Sequence, residues 1–268
     1  MTHTSELQAA LAAAVSAGNL LLDYYDEKLA VSTKESMRDI ATEVDRLAEE
    51  RIIKALREQA DPDIAIFTEE QGRVGDAGGS REWFVDALDG TVNYVNRIPF
   101  FSVSVALALN GHPEVGVVYN PMVSDLYYAA TGIGVFKNQM RLSIRDKVPE
   151  ECLFAVAFSG KTFDPARRGQ EFQLLGEVND ASRGCLRTGS AAMNLAYVAE
   201  GRLGGCWGKA NKFWDVAAGL LLAELAGARV QFRHVDGEQP LVNYLATVPS
   251  AWDFIYERAQ SALALKEA

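Results

Sequence analysis

The stretch Trp83-Phe84-Val85-Asp86-Ala87-Leu88-Asp89-Gly90-Thr91 runs from an apolar strand straight into two carboxylates, a glycine and a threonine. Glu82–Val85 reads as the strand. Ionised side chains at the end of a buried strand are costly unless they are paired or hold a metal. Asp89-Gly90 is also a common turn dipeptide. On this stretch alone, an acidic turn and a metal site are equally good readings.

The nucleophile of haloacid-dehalogenase-type phosphatases, in an Asp-x-Asp-Gly-Thr arrangement, does not fit. Ala87 stands where that aspartate belongs, and Asp86 is one place too far back. Working outward, other acids sit at element boundaries. Phe67-Thr68-Glu69-Glu70 closes a short apolar strand, Ile64–Phe67. Thr42 is positioned to cap a helix running to Gln59, which puts Asp45 in its first turn, where the helix dipole favours a negative charge. Lys212-Phe213-Trp214-Asp215 precedes a run of small and apolar residues, so Asp215 reads as the start of another helix. Each acid alone has an ordinary structural explanation.

The flanking chain supplies a mixed α/β (α+β) layout. Residues 5–29 read as an amphipathic helix and 31–39 as a loop or short hairpin. Gln71–Ser80 is Gly-rich and reads as a mobile loop. Ser102–Leu109, Glu114–Tyr119, Asp125–Ala130 and Gly134–Lys137 read as an antiparallel meander, with turns at Asn110-Gly111 and Asn120-Pro121. A charged connector, Ser143–Glu151, divides the chain into a first half, 1–150, and a second, 151–268. The second half alternates strands (Phe154–Phe158, Gly184–Leu186, Leu203–Trp207, Ala228–Phe232, Tyr244–Thr247) with helices (Pro165–Val178, Ser190–Glu200, Asp215–Leu225, Ser250–Leu265).

The composition sets bounds on function. With 268 residues, 49% of them hydrophobic, the chain can bury a substantial core. Its net charge of -10 argues against a nucleic-acid-binding face. An acidic protein that handles phosphate needs bound cations, so the charge also points weakly to metal. Three cysteines and three histidines, widely spaced, suggest neither a disulfide framework nor a zinc site. The absence of a basic leader or a long apolar run points to a reducing cytoplasm and no membrane span.

Taken together, Asp45, Glu69, Asp86-x-x-Asp89-Gly90-Thr91 and Trp214-Asp215 resemble the inositol monophosphatase family, a branch of the magnesium-dependent, lithium-sensitive phosphatases. The likeness covers nearly the whole chain and includes Pro99-Phe100, Gly116-Val117-Val118-Tyr119 and Gly189-Ser190-Ala191-Ala192. It implies the layered αβαβα sandwich of the sugar-phosphatase and inositol monophosphatase type. It implies a phosphoric monoester hydrolase acting on inositol monophosphate or a related polyol or sugar phosphate, with two or three Mg²⁺ ions. Glu69, Asp86 and the Leu88 carbonyl would hold a first metal, and Asp86, Asp89 and Asp215 a second. A third, weaker ion would sit near Glu69. Thr91 and Asp45 would orient and deprotonate the water that attacks phosphorus, with Glu69 assisting at its metal. Asp89, Gly90, Thr91, Gly189, Ser190, Ala191 and Asp215 would contact substrate. Lys34 matches a loop lysine near the metals.

The sequence also departs from the family pattern. Ala87 replaces a proline and Thr68 a glycine, and neither position is a ligand. Gly208 stands where inositol-binding members carry a glutamate, with Trp207 and Lys209 beside it. That puts inositol specificity in doubt: Lys209 reads either as a solvent-facing lysine or as a group that gives the site a preference for a second anionic group or another polyol. Fructose-1,6-bisphosphatase, histidinol phosphatase and 3′-nucleotidase activities stay open. The resemblance further implies a homodimer. Some bacterial members also associate with the transcription machinery, which leaves an additional protein-binding role open.

Overall fold

The computed structural model describes residues 3–27, 31–33, 40–76, 79–158, 165–237 and 239–265. Helix α1 (Thr4–Asp23) buries Leu7, Ala10, Ala14, Ala17 and Leu21, spaced to share one face. It stops short of the expected 29 because Tyr25 leaves the helical path. The Tyr25 ring packs on Tyr94 and Phe101, with centroids 5.3 and 5.5 Å away. A short ribbon, β1 (Val31–Thr33) with β2 (Ile40–Thr42), leads into α2 (Glu43–Gln59). Helix α2 buries Val44, Ala48, Ile52 and Leu56 along one stripe.

One sheet gathers β3 (Ala65–Thr68), β4 (Gly72–Val74), β5 (Arg81–Asp89), β6 (Ser102–Leu109), β7 (His112–Asn120), β8 (Asp125–Ala130), β9 (Gly134–Lys137) and β10 (Met140–Arg141). Its order is β10-β9-β8-β7-β6-β5-β3-β4. Neighbours are antiparallel except β3 and β5. Strand β4 corrects the loop expected over Gln71–Ser80: Gly72–Val74 pairs back on Thr68–Ile66. A single helical turn, α3 (Thr91–Val95), follows β5.

The chain then adds β11 (Phe154–Phe158), α4 (Pro165–Asp180), β12 (Cys185–Leu186), α5 (Ala191–Ala199), β13 (Gly205–Lys212), α6 (Phe213–Ala226), β14 (Arg229–Val235), β15 (Leu241–Thr247) and α7 (Trp252–Leu263). These strands form a second sheet in the order β12-β11-β13-β15-β14. Strand β13 runs to Lys212, beyond the expected end at Trp207, because β15 pairs with it as far as Leu241.

Five layers result, as the sequence resemblance implied. Alternation along the strands assigns the faces. Val103, Val105 and Leu107 of β6 and Val115, Val117 and Tyr119 of β7 pack against α1, and β5 packs against α2. Ala106, Ala108 and Val118 face the opposite way, towards α5 and α6. The second sheet turns Ala155, Cys206 and Ala246 to the same central helices, and Phe154, Trp207 and Leu245 outward to α4 and α7. Helix α6 is apolar nearly all round because it lies between two sheets.

The large sheet presents its smaller side chains to α6, and this lets the helix approach closely. A Cβ at Gly116 would lie 2.8 Å from the Ala218 carbonyl oxygen and 2.9 Å from its Cα. Neither neighbour is a flexible side-chain end, so Gly116→Val must push α6 off the sheet. Overpacking of this kind costs about 1–3 kcal/mol. Thermal unfolding followed by circular dichroism should show a Tm lower by several degrees; an unchanged Tm would contradict the close packing.

Candidate active site

The ends of β3 and β5 meet the first turns of α5 and α6 around a cavity of about 680 Å³. Glu69 follows β3, Asp86 and Asp89 lie on β5, and Asp215 lies in the first turn of α6. Lys212 is the residue capping α6, so Asp215 stands inside the helix rather than at its start. One carboxylate oxygen from each of Glu69, Asp86 and Asp215 lies within 4.8 Å of the others.

Asp86 and Asp89 are an odd number of residues apart, which on a regular strand would send them to opposite faces. The β5–β6 register shifts between them: Asp86 pairs with Ser104 and Asp89 with Ser102. The bulge absorbs one residue and turns both carboxylates into the cavity. The Leu88 N–H donates to Asp86 Oδ1 at 2.9 Å, closing the turn.

Aromatic stacking ties the acid-bearing elements together. The Phe67 ring, beside Glu69, stacks on Phe84 of β5 at 6.1 Å and on Trp214 of α6 at 5.4 Å. The Ser104 hydroxyl donates to the Trp214 carbonyl at 3.0 Å. Glu49 of α2 is fully buried and accepts the N–H groups of Glu70 (2.9 Å) and Gln71 (3.1 Å), which pins the turn after Glu69. Burial holds the Glu49 carboxyl above its ordinary pKa.

Asp89 is anchored by the start of α5. Its carboxylate accepts the Ser190 hydroxyl, the Ala192 N–H at 2.8 Å and the Ala191 N–H at 3.3 Å. Ser190 Oγ in turn caps the helix by accepting the Met193 N–H at 3.2 Å. A carboxylate at a helix N-terminus is favourably placed. Even so, burial outweighs these hydrogen bonds and pushes Asp89 up to about 6. Asp86 is raised well above the usual carboxylate range, first by burial, then by the charges of Glu69, Asp215 and Asp89.

Thr91 and Asp45 are also brought together. The Thr91 hydroxyl lies 3.2 Å from Asp45 Oδ1 and 3.0 Å from the Leu88 carbonyl, and Asp45 is buried. Gly90, Thr91, Gly189, Ser190 and Ala191 all line the cavity.

One expected residue falls elsewhere, and another, Lys34, lies outside the described residues. Lys209 is not at the cavity: alternation along β13 puts it on the face opposite Gly208, where its Nζ donates to the Ala262 carbonyl of α7. Among the described residues, the cations that line the cavity are Arg187 and Lys212. Asn93 also lines the cavity, a role that no local sequence pattern marks. Its amide donates to the carbonyls of Phe100 (2.7 Å) and Thr188 (2.9 Å), joining the α3 loop to the segment before α5.

Carboxylates brought this close together and largely buried repel one another, and hard oxygen donors suit a hard divalent ion such as Mg²⁺. The donor set therefore fits such a cation. Among the described residues, no helix is long and apolar enough to cross a membrane.

Comparison with known proteins agrees with this geometry. The sequence profile of the inositol monophosphatase family matches residues 3–264. The chain is similar to the Nus factor SuhB of Pasteurella multocida, at 37% identity over 226 residues and 84% of each chain. It is similar to an inositol-1-monophosphatase of Mesorhizobium japonicum, at 36% identity over 248 residues, covering 91% of this chain and 90% of that one. The solved structure of the suhB extragenic suppressor protein of Bartonella henselae superposes with a TM-score of 0.84 at 32% identity, covering 94% of this chain and 96% of that one.

The raised carboxyls fix how a divalent ion should act on stability. A carboxyl whose pKa is higher folded than unfolded stabilises the metal-free fold fully below its unfolded pKa of about 4. That contribution is lost as pH rises through the folded value, about 6 for Asp89. A cation that neutralises the ionised cluster restores it. Scanning fluorimetry should therefore show a larger Tm gain from Mg²⁺ over EDTA at pH 8 than at pH 5; equal gains would contradict this electrostatic account.

Proposed function

The chain belongs to the inositol monophosphatase family, and we propose that it is a magnesium-dependent phosphatase of a small polyol or sugar phosphate monoester. The observation that carries this reading is the convergence of Glu69, Asp86 and Asp215 on one point of a polar cavity. The family is magnesium-dependent, and two or three ions would be held by Glu69, Asp86, the Leu88 carbonyl, Asp89 and Asp215. When bound, such ions neutralise phosphate oxygens, lower the pKa of water and stabilise a leaving alkoxide.

The chain's own residues supply position and a path for the proton. Asp45 Oδ1 is the buried base, and the Thr91 hydroxyl beside it passes a proton on as it receives one from the attacking water. The water oxygen forms the new P–O bond. The ester P–O bond breaks with its electron pair going to the alkoxide, which takes a proton from solvent. Gly90, Gly189, Ser190 and Ala191 form the wall that receives the alcohol portion, and Asp89, held by α5, accepts from one of its hydroxyls. A cysteinyl phosphoenzyme has little support: burial pushes the thiols of Cys152, Cys185 and Cys206 up, and none lines the cavity.

The similarity to relatives named Nus factor favours a second role beside catalysis, binding a protein of the transcription machinery. Association that survives Asp86→Asn would support it, and loss with that variant would count against it. The three free cysteines support a cytoplasmic setting. Family membership supports a homodimer, which sedimentation tests directly.

Phosphate release from inositol 1-phosphate, fructose 1,6-bisphosphate and glycerol 2-phosphate should require Mg²⁺ and stop in EDTA. Thr91→Ala and Asp45→Asn should each lower kcat about 10²–10⁴-fold, as expected for loss of a positioned proton acceptor. Both should keep the Tm gain from Mg²⁺. Turnover that persists in EDTA would overturn the reading.

A further inference from the structure

Helix α2 buries two acids, and the reaction described above uses only one of them. Asp45 and Glu49 are four residues apart, so they lie on one face of the helix, a turn from each other. Asp45 meets the Thr91 hydroxyl. Glu49 has no exposed surface and belongs to the stripe that otherwise buries Val44, Ala48, Ile52 and Leu56. A carboxylate is a costly occupant of such a stripe, where an apolar residue of similar size packs without losing hydration.

What Glu49 holds is the turn that carries Glu69. Thr68 and Gly72 pair across the β3–β4 hairpin, which leaves Glu69, Glu70 and Gln71 as the turn between them. Gly72 closes it with φ 71°, a conformation that favours glycine. Two successive N–H groups of this turn point at α2, and each takes its own carboxylate oxygen. Glu70 donates to Glu49 Oε2 at 2.9 Å and Gln71 to Oε1 at 3.1 Å. The buried Thr68 hydroxyl straps the turn from the strand side. It accepts the Gln71 N–H at 3.3 Å and donates to the Gly72 carbonyl at 3.0 Å. Glutamine would fill the space of Glu49 but has one acceptor oxygen, so its amide would face one of the two N–H groups donor against donor.

We propose that Glu49 is a positioning residue for the metal site, holding Glu69 in place before a divalent ion arrives, with Thr68 as the second fastening. A ligand already held in place loses less freedom on binding, so the affinity for the ion depends on groups that never touch it. One helix then sets both Asp45 and, through Glu49, the ligand Glu69. This inference rests on the magnesium-dependent reading above and deepens it.

The test is calorimetric titration of the EDTA-stripped protein with Mg²⁺, for the wild type, Glu49→Gln, Thr68→Val and Glu50→Gln. Glu49→Gln should weaken Mg²⁺ binding about 10–100-fold, as expected when a partner that orients a metal ligand is lost. Thr68→Val removes the hydroxyl with little change of shape and should weaken binding about threefold or more, the worth of a hydrogen bond. Glu50→Gln removes the same charge from the exposed side of α2 and should leave the affinity unchanged. In phosphate release, Glu49→Gln should need correspondingly more Mg²⁺ for half-maximal kcat, with KM for the ester at saturating Mg²⁺ unchanged. A merely structural residue would lower the Tm in EDTA and leave the Mg²⁺ requirement alone. Wild-type affinity in folded Glu49→Gln overturns the proposal, and so does equal weakening by Glu50→Gln. If Glu49→Gln does not fold, Thr68→Val decides: weakened binding supports the proposal and unchanged binding overturns it. If the wild type binds Mg²⁺ but turns over no ester, the phosphatase reading fails, and the binding comparison still decides this proposal.

Discussion

Mutual repulsion among Glu69, Asp86, Asp89 and Asp215 is the constraint around which this molecule is organised. These carboxylates come from β5, the end of β3 and the first turn of α6, and two of them are almost completely withdrawn from water. Left alone, such a cluster would move apart or take up protons. The fold prevents separation with apolar packing that does not depend on the charges. The stack of Phe67, Phe84 and Trp214 fixes the three elements against one another, and the apolar α6 is clamped between two sheets. Stability is thereby given up locally and recovered in the surrounding core, a common arrangement at sites that bind ions.

Both walls of the cavity use the same backbone device. On β5, a bulge turns Asp86 and Asp89 to one side; on β13, a bulge does so for Gly208 and Asn211. Each converts an odd residue spacing into a shared face, which a regular strand cannot do. The helices facing the bulges complete the two walls. The N-terminus of α5 fastens Asp89, and the first turn of α6 delivers Lys212 and Asp215 together. The oxygen donors gathered on β5 and at the start of α6 suit a hard cation.

Much of this was legible in the sequence, for identifiable reasons. The acids stood out because each interrupts or ends an apolar run, and their order along the chain specified the family and its layered fold. The strands of the meander were readable from their turns. The β13 side of the cavity was not readable to the same degree. Lys209 is adjacent to Gly208 in sequence but opposite to it in space, a consequence of strand alternation that was available in principle. The inward turn of Asn211 depends on a bulge held by Asn243, and sequence periodicity does not reveal that. The bonds from Asn93 to Thr188 and from Glu49 to the Glu70–Gln71 turn join distant segments. They arise from tertiary packing rather than local pattern. The end of α1 is set in the same way, since Tyr25 leaves the helix to join an aromatic cluster contributed by residues far along the chain.

The central claim is that the four clustered acids exist to hold divalent cations. Calorimetric titration of the EDTA-stripped, dialysed protein with Mg²⁺, alongside Asp86→Asn, tests it most directly. The account predicts saturable binding to the wild type and its loss or severe weakening in the variant, which should itself remain folded because a repelling charge has been removed. No binding to the wild type, or equal binding to both proteins, would contradict it.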